Sequence, residues 1–381
     1  MANTNPLKQI AAFGQSIWCD NIERRMIKNG TFRRMIDEDG LKGVTSNPTI
    51  FEKAVTSSSD YDAELRSLGE KGLSPEDIYW KVVIKDIQDT ADIFLSVYKE
   101  TKGEDGFVSI EVNPLLARDT EGTLKQARDL WKRVARPNVM IKIPATAEGL
   151  PAIQEAIADG ININVTLIFA VARHREVMNA YLAGLEKRFA AGKPVSDIAS
   201  VASFFVSRVD TEIDKRLEEK IKSAKDDAEK RHLRDLLGKA AIANSKIAYE
   251  EFEKVFSSPR FEKLKIKGAR VQRPLWASTS TKNPAYRDVV YVEELLGPQT
   301  VNTLPPATID AFRDHGKPAS RLTEGREEAA RAIHELGVSG IDLDEVTRLL
   351  EEAGVKSFSD SFHKLIECIQ AKEVKIGVKT K

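Results

Sequence analysis

The sequence predicts an α/β protein that folds as a (β/α)8 TIM barrel, with a helical insertion after the sixth strand and extra C-terminal helices after the eighth. Eight short runs rich in β-branched and aromatic residues alternate with longer helical patterns. Several runs are apolar almost throughout, which is typical of parallel strands buried on both faces, and the segments between them are long enough for crossover helices. The predicted strands are 16–20, 43–47, 107–112, 138–144, 163–169, 198–208, 271–278 and 300–305.

The segments between the strands carry signals for helix ends. Ser74 followed by Pro75 is a helix cap with proline at the first helical position. Gly160 and Gly192 stand where helices should stop. The interval between the second and third strands is too long for one crossover, so we expect an extra helix there, before the one at about 75–98.

A long helical segment, 210–256, follows the sixth strand, and we assign 210–260 to a helical insertion. Its first half is charged, with few apolar residues. Because the charges alternate in sign, a solvated insertion is favoured over a surface that binds nucleic acid. After the eighth strand we expect helices near 324–336, 343–353 and 357–371, followed by a polar tail at 372–381.

Length and composition are those of an ordinary globular enzyme. The 381 residues would suffice for two average domains, but one elaborated barrel has the same length and no low-complexity linker divides the chain, so we expect a single domain over 1–381. The 58 basic residues balance 58 acidic ones, and no apolar stretch approaches the roughly 18 residues of a membrane span. We therefore expect neither nucleic acid nor membrane as a partner. Two cysteines, and a beginning without a signal-peptide pattern, indicate a reducing cytoplasm.

Polar residues end most of the predicted apolar strands. Active sites of (β/α)8 barrels lie at the carboxyl ends of the strands, where these side chains would meet. Any one of them could instead be a solvated strand end, and Asp20 and Asn47 are also preferred helix caps. Their joint occurrence is harder to explain without a function. The residues are Asp20, Asn47, Glu111, Lys142 and Thr166 at the first five strand ends, with Ser203 and Arg208 at the sixth.

Lys142 is the most informative of these residues, since it lies between Ile141 and Ile143 in an apolar run. An ammonium group is rarely buried unless it is paired. The alternative without a catalytic role is a lysine whose long side chain reaches solvent at the mouth of the barrel. Burial, however, disfavours the charged form of an amine, and the neutral form is the one that attacks a carbonyl. Position and chemistry together favour a lysine that forms a Schiff base.

Other chemistries have less support in the sequence. None of the five histidines ends a predicted strand, so a metal centre with histidine ligands is poorly supported. No glycine-rich dinucleotide or nucleotide loop appears. A lysine Schiff base is also typical of pyridoxal phosphate enzymes, but the glycine-rich phosphate cup that usually accompanies that cofactor is missing, which leaves it a minor alternative. We expect no metal and no cofactor.

The runs that hold these residues resemble, in the same order, the transaldolase family. The match spans about residues 14–310, and six ordered motifs on six different predicted strands are far more specific than any one of them. The chain length, the insertion and the variant seventh-strand run WASTSTKNP (276–284) resemble the longer bacterial branch of the family. The six runs are WCD (18–20), GVTSNPTIF (43–51), VSIEVNP (108–114), NVMIKIPAT (138–146), GININVTLIF (160–169) and VASFFVSRVD (201–210).

The resemblance implies a cofactor-free transferase that acts on sugar phosphates. In this family a dihydroxyacetone unit moves reversibly between sedoheptulose 7-phosphate and glyceraldehyde 3-phosphate, giving erythrose 4-phosphate and fructose 6-phosphate. This reaction belongs to the non-oxidative pentose phosphate pathway. By the same resemblance, Lys142 attacks the ketose carbonyl and Asp20 takes the hydroxyl proton as the carbon–carbon bond breaks. A covalent intermediate divides the exchange into two easier halves.

The resemblance also implies roles for five other residues. Glu111 and Thr166 would hold the water that shuttles protons during imine formation. Asn47, Asn164 and Ser203 would hydrogen-bond the hydroxyl groups of the donor sugar.

Phosphate binding is where the sequence departs from the family pattern. The resemblance implies that Arg208 binds the phosphate through its planar guanidinium. In the commoner pattern the Ala-Ser of the seventh strand is followed two residues later by a second phosphate-binding arginine, but here Ser278 is followed two residues later by Ser280. Lys282 is the nearest cation, and it is either a second phosphate ligand or a solvated loop lysine. Ser278 and Lys282 are therefore our candidates to complete the phosphate site.

Two other functions remain open. A related Schiff-base aldolase would release free dihydroxyacetone, and Phe205 argues against it because the aldolase relatives usually carry tyrosine at that place. A non-catalytic barrel that binds phosphates or a partner is opposed by the complete set of strand-end groups. A homodimer is compatible with the sequence, which does not determine the oligomeric state.

Overall fold

The structure is a computed structural model that describes residues 5–375. Eight parallel strands close into a barrel in chain order, which confirms the predicted fold class. The strands are β1 Gln15–Cys19, β2 Gly43–Val44, β3 Phe107–Glu111, β4 Val139–Pro144, β5 Ile163–Ile168, β6 Ser200–Phe205, β7 Gln272–Ala277 and β8 Thr300–Leu304. β8 pairs with β1, from Thr300 opposite Gln15 to Leu304 opposite Cys19, and so closes the barrel.

The second strand is shorter than predicted because its end starts a helix. Asn47 caps that helix by accepting a hydrogen bond from a backbone N–H of the first turn, and Pro48 occupies the first helical position. Within β2, Gly43 is required by its neighbours. A Cβ there would lie 2.7 Å from the Trp18 ring and 2.8 Å from the carbonyl oxygen of Phe107. The chain therefore leaves the sheet at Asn47, at the carboxyl end of the barrel.

Helices surround the barrel in the order in which they occur along the chain. They are α1 Pro6–Ile10, α2 Arg24–Lys28, α3 Thr31–Asp39, α4 Pro48–Ser57, α5 Asp62–Gly69, α6 Pro75–Glu100, α7 Thr120–Val134, α8 Gly149–Asp159, α9 Val171–Ala190, α10 Ser207–Ser223, α11 Asp227–Arg234, α12 Ala240–Phe256, α13 Pro259–Lys265, α14 Val290–Glu294, α15 Pro306–His315, α16 Arg326–Val338 and α17 Leu343–Lys375, with 3-10 turns at Ala11–Phe13 and Pro114–Leu116.

Several helix ends follow the predicted signals. The side chain of Ser74 caps α6, with Pro75 at its first position. Gly160 ends α8 in the left-handed conformation, with φ of 99°. Two helices, α4 and α5, precede α6, where one extra helix was expected. None of the helices in the described part of the chain is long and apolar enough to cross a membrane.

The segment between β6 and β7 forms four helices, of which α11 is exposed and α12 is largely buried. Arg208, expected at the end of the sixth strand, lies in the first turn of α10 instead, because β6 ends at Phe205. α11 exposes most of its side chains, as expected of a solvated segment, and buries Leu233. For α12 that expectation is wrong: a face that includes Ala248 and Phe252 is buried, and the helix packs against α9 and α16. Only the charged first half of the segment carried the signal of a solvated helix.

The C-terminal region forms one long helix where two were expected. α17 continues through Gly354, where a break was predicted. A Cβ at Gly354 would lie 2.9 Å from Cδ2 of Leu167 on β5, so glycine lets the helix approach the barrel closely. Ser361 and Thr49 join α17 to α4, with 2.7 Å between their hydroxyl oxygens. The predicted tail begins inside α17, and its residues 376–381 lie outside the described part of the chain.

Candidate active site

The predicted strand-end residues converge on a small cavity at the carboxyl end of the barrel. Its volume is about 130 Å³, and segments from β1 to α17 border it. Glu111, Thr166 and Asn164 are buried but do not border it. The other eight predicted site residues line the cavity: Asp20, Asn47, Lys142, Ser203, Phe205, Arg208, Ser278 and Lys282.

Lys142 is buried inside the barrel. Only 5% of its side chain is exposed, so the alternative of a lysine that reaches into solvent is wrong. Its Nζ donates a hydrogen bond of 3.2 Å to the carbonyl oxygen of Ser46 and lies 3.6 Å from Oε2 of Glu111, the residue opposite it in the β3–β4 register. The centre of the Phe358 ring lies 5.9 Å from Nζ. The amine is therefore fixed by two polar contacts and covered by an aromatic ring from α17.

Glu111 and Thr166, on the strands that flank β4, carry buried oxygens without hydrogen-bond partners in the described part of the chain. Among the described residues, neither carboxylate oxygen of Glu111 has a hydrogen-bond donor, and Oγ1 of Thr166 has no partner. At 3.6 Å, the contact of Glu111 with Lys142 is an ion pair that is too long for a hydrogen bond. Burial raises the pKa of Glu111 to about 7, and the positive charge of Lys142 opposes the shift. A carboxyl group with this pKa can both give and take a proton near neutral pH.

Asp20 borders the cavity directly after β1. Its Oδ1 accepts a hydrogen bond of 2.6 Å from Oγ1 of Thr45, while Oδ2 has no hydrogen-bond partner in the described part of the chain. Burial away from water raises the pKa of Asp20, and the positive charge of Lys142 is the largest effect that lowers it. Nearby, Asn47 uses its Oδ1 to cap α4, which leaves its amide nitrogen as a donor at the cavity wall.

Asn164 lies on β5, as predicted, but does not border the cavity. Its amide is fully buried and bonded to protein: Nδ2 donates to Oγ of Ser109 at 3.0 Å, and Oδ1 accepts from Oγ of Ser203 at 2.7 Å. Asn164 stands opposite Lys142 in the β4–β5 register, and its short side chain does not extend to the mouth as the lysine does. It therefore contacts the cavity only through Ser203.

Arg208 and Lys282 make the outer part of the cavity positive. Arg208 is half-buried and has neither a hydrogen bond nor an ion pair among the described residues; its guanidinium carbon lies 5.3 Å from the centre of the Phe205 ring. Burial lowers the pKa of Arg208, and the charge of Asp20 opposes this. Lys282 is exposed, and its Nζ donates to Oγ of Ser280 at 2.7 Å. The protein around it and the like charge of Arg208 lower the pKa of Lys282, so an anion between the two cations would relieve their repulsion.

Ser278 has an unusual backbone conformation. Its φ of 57° lies in the left-handed region, which is uncommon for a residue with a Cβ. Its Oγ lies 2.9 Å from Oγ of Ser207, and its carbonyl oxygen accepts from the Ser207 N–H. These contacts hold the loop after β7 against the first turn of α10, where Arg208 lies. Backbone strain of this kind concentrates at functional sites.

Comparison of the sequence with known proteins shows the family to which the chain belongs. The sequence model of a family described as Transaldolase/Fructose-6-phosphate aldolase matches residues 17–369. The chain belongs to this transaldolase family. It is 47% identical over 375 residues to the transaldolase of Trichodesmium erythraeum (strain IMS101), covering 98% of this chain and 99% of that protein. It is 48% identical over 371 residues to the transaldolase of Saccharopolyspora erythraea, covering 97% and 98% of the two chains. For the transaldolase of Mycobacterium tuberculosis (strain CDC 1551 / Oshkosh) the identity is 47% over 370 residues, covering 96% and 97%.

The cavity of this transaldolase-family chain contains residues that were not predicted. Thr45 borders it directly after β2, and Thr303 borders it from β8. Alternate residues of a strand face the same side, so this alternation could have indicated both threonines. Phe358 lies on α17, far away in the sequence, and no strand motif indicated it. Ser46 contributes through its backbone carbonyl, which a side-chain pattern does not reveal.

A larger cavity, of about 870 Å³, lies at the opposite end of the barrel. Its lining includes the first residues of several strands, such as Gln15 and Ser200, and its Arg273 is paired with Asp105. Catalytic groups of (β/α)8 enzymes lie at the carboxyl ends of the strands, where Lys142 is found, so the smaller cavity is the candidate active site. Across the described residues, no group of three or more His, Cys, Asp or Glu side chains is placed to hold a metal ion.

Proposed function

We propose that this chain catalyses the transaldolase reaction. It transfers a dihydroxyacetone unit from sedoheptulose 7-phosphate to glyceraldehyde 3-phosphate, giving erythrose 4-phosphate and fructose 6-phosphate, in the non-oxidative pentose phosphate pathway. The observation that carries the proposal is the buried amine of Lys142, 3.6 Å from the carboxyl group of Glu111, in a cavity bordered by two cations. The family description and the names of the relatives support the same reaction.

Imine formation is assigned to Lys142. As a neutral amine, it attacks the ketose carbonyl, the C–N bond forms, and the carbonyl oxygen leaves as water. The nitrogen must lose protons and the oxygen must gain them in this step. Glu111, whose pKa is raised to about 7, is suited to move these protons. Thr166, whose Oγ1 has no protein partner in the described chain, would help to hold the water that carries them.

Carbon–carbon bond cleavage is assigned to Asp20. Once the ketose is attached, the carboxylate takes the proton of the hydroxyl group on the carbon that becomes the aldehyde. The electron pair of the broken bond passes into the iminium group, which becomes an enamine bound to Lys142. The first aldehyde leaves, the acceptor aldehyde takes its place, and the same steps run in reverse.

The remaining site residues are assigned to substrate binding. Asn47 and Ser203 present polar groups to the hydroxyls of the donor, and Asn164 orients Ser203. Arg208 binds the phosphate, because its guanidinium is half-buried at the cavity and unpaired within the described chain. Lys282 and Ser278 complete the phosphate site from the loop after β7.

A second candidate function is a Schiff-base aldolase, since the family description also names fructose-6-phosphate aldolase. The aldolase shares Lys142 but releases free dihydroxyacetone. Phe205 borders the cavity where the aldolase relatives usually carry tyrosine, so no phenolic hydroxyl is available at that place. This favours transfer over release.

One set of assays separates these functions. With fructose 6-phosphate and erythrose 4-phosphate, a transaldolase forms glyceraldehyde 3-phosphate continuously; without the acceptor it should stop after about one equivalent per active site, because the enamine remains attached. An aldolase continues without the acceptor, and a non-catalytic barrel forms no product. Borohydride in the presence of fructose 6-phosphate should attach the sugar to Lys142, and the Lys142→Ala variant should show no adduct. Failure of the wild-type chain to form an adduct or product would overturn the proposal.

We also propose a single domain over 1–381, a cytoplasmic location and a homodimer. The eight strands form one closed barrel, and Cys19 and Cys368 are both unpaired, which suits a reducing compartment. Light scattering of the purified chain tests the dimer, and fractionation of the cells that make it tests the location.

A further inference from the structure

Two threonine hydroxyls extend from Asp20 along the wall of the cavity. Oγ1 of Thr45 lies 2.6 Å from Oδ1 of Asp20 and 2.6 Å from Oγ1 of Thr303. Both threonines border the cavity, although only 1% and 2% of their surfaces are exposed. Thr45 follows β2 and Thr303 belongs to β8, and these are the two strands that flank β1. The three side chains therefore connect β1 to both of its neighbours at the active site.

Each threonine hydroxyl has one hydrogen to donate, and this fixes the direction of both hydrogen bonds when Asp20 is ionised. A carboxylate only accepts hydrogen bonds, so the single hydroxyl hydrogen of Thr45 points to Asp20. Oγ1 of Thr45 can then only accept from Thr303, whose hydroxyl has no other hydrogen-bond partner in the described part of the chain. Successive hydrogen bonds polarise one another, so the outer hydroxyl strengthens the inner bond. The two hydroxyls thus donate in series: Thr303 donates to Thr45, and Thr45 donates to one oxygen of the carboxylate.

Asp20 benefits from this support because its surroundings disfavour ionisation. Burial raises its pKa more than the neighbouring positive charges lower it. A general base has to be ionised before it can take a proton. The charged groups that face Asp20 are Lys142 from β4, Arg208 from α10 and Lys282 from the loop after β7, with Glu111 from β3 as a like charge.

We propose that Thr45 and Thr303 are positioning residues, which hold Asp20 in its ionised form and orient it toward the bound sugar. Thr45 acts directly and Thr303 acts through Thr45. With Oδ1 held by Thr45, Oδ2 is the oxygen that receives the proton of the sugar hydroxyl, since no described residue donates to it. The inference rests on the proposed function, in which Asp20 is the base for bond cleavage.

The test is the pH dependence of kcat for the full chain with fructose 6-phosphate and erythrose 4-phosphate. Removal of a donor to a carboxylate raises its pKa, so the acid limb of the profile should move to higher pH. We expect a shift of about one to two pH units in Thr45→Val and about half a unit in Thr303→Val, because only the first loses a direct hydrogen bond to the charged group. Thr303→Ser keeps the hydroxyl and should restore the wild-type limb.

A matched control lies at the other end of the same strand. Thr300 is buried, and its hydroxyl donates to the carbonyl oxygen of Gly297, away from Asp20. Thr300→Val should leave the acid limb in place; a shift equal to that of Thr303→Val would mean that general loosening of β8 is the cause, and would overturn the inference.

Borohydride trapping in each variant separates this inference from the proposed function. Absence of the wild-type adduct on Lys142 would overturn the proposed function and this inference with it. Normal adduct formation with an unmoved acid limb in both Thr45→Val and Thr303→Val would overturn this inference alone.

Discussion

Lys142 and Glu111 face each other across β3 and β4, with 3.6 Å between Nζ and Oε2 and only 5% and 3% of their side chains exposed. Removing two charges from water costs free energy that their attraction only partly offsets. Movement of one proton from the lysine to the glutamate removes both charges at once. Because burial raises the pKa of Glu111 to about 7, this carboxyl group changes its protonation near neutral pH.

Glu111→Gln should slow imine formation without preventing substrate binding. The amide keeps the size of the side chain but cannot exchange protons, and loss of a general acid or base typically costs about 100- to 10,000-fold in rate. The measurement is the rate at which the borohydride-trapped adduct accumulates between pH 5.5 and 8.5. In the wild-type chain this rate should change near pH 7, and in Glu111→Gln that change should disappear. An unaltered rate and profile would remove Glu111 from proton transfer.

Asp20→Asn should separate bond cleavage from imine formation. Asparagine can still accept the Thr45 hydrogen bond at its Oδ1, but it cannot take a proton. The adduct with fructose 6-phosphate should therefore be trapped on Lys142 while release of glyceraldehyde 3-phosphate falls by at least about 100-fold. Mass spectrometry of the trapped protein and a coupled assay for the aldehyde give the two readings. If the variant folds but forms no adduct, Asp20 positions the donor and is not the base.

Arg208→Ala should raise the KM for phosphorylated substrates by about ten- to a hundredfold, since charged hydrogen bonds contribute about 1.5 to 3 kcal/mol each to binding. Reaction of unphosphorylated dihydroxyacetone serves as the control, because it makes no use of the phosphate site. Lys282→Ala should have a smaller effect, since the lysine is exposed and acts only as a point charge. An unchanged KM for fructose 6-phosphate in Lys282→Ala would assign that side chain to the solvated loop.

The fold could be read from the sequence because buried parallel strands leave apolar runs, and all eight runs correspond to strands. The helices were harder. Gly354 is a stop signal in isolation, but packing against Leu167 makes glycine the residue that fits there. The apolar face of α12 was missed because the preceding charged residues dominated the pattern.

Within the cavity, residues that end strands were predictable and residues that arrive from elsewhere were not. Phe358 enters from α17, and its position depends on the packing of that helix on α4. Asn164 was assigned to the donor sugar by resemblance, yet the structure bonds its amide to Ser109 and Ser203. Lys142 and Asn164 stand opposite each other in the β4–β5 register, and only the length of the side chain decides which of them reaches the cavity. The sequence motif does not show this difference.

Phe358→Leu should increase the release of free dihydroxyacetone relative to transfer. The Phe358 ring borders the cavity and lies 5.9 Å from Nζ of Lys142. A ring at this distance would shield the intermediate on Lys142 from water. The measurement is the rate of glyceraldehyde 3-phosphate formation without an acceptor, divided by the rate with erythrose 4-phosphate. Phe362→Leu is the matched control on the same helix, because that ring packs on Tyr79 outside the cavity. Equal ratios in the two variants would contradict a shielding role for Phe358.

His174 should make the fold sensitive to acid. It is fully buried on α9 against Phe204, and burial lowers its pKa to about 4. Between pH 4 and its ordinary value near 6.5, the unfolded chain binds more protons than the folded chain, so the free energy of unfolding falls as the pH is lowered through that range. The full effect is about 3 kcal/mol. His174→Phe should lack it.

Denaturant unfolding of the wild type and His174→Phe at pH 4.5 and 7.5 measures this contribution. Asp86 and Asp210, whose pKa values burial raises to about 6, change stability in the opposite direction in both proteins. The difference between the two proteins therefore isolates the histidine. If the free energy of unfolding fell equally in the two proteins between pH 7.5 and 4.5, protonation of His174 would not destabilise the fold.

The closure of the barrel has a consequence for the synthesis of this protein. Asp20 stands near the beginning of the chain, and its backbone N–H donates to the carbonyl oxygen of Leu304, near the end of the last strand. Ribosomes release the N-terminal part first, so β1 lacks one of its two neighbours until β8 has been synthesised. Phe358, which completes the cavity, emerges later still. Nascent chains and prematurely terminated products that stop before these residues hold Lys142 and Asp20 but cannot assemble the cavity around them, so enzymatic turnover has to wait until α17 has been synthesised.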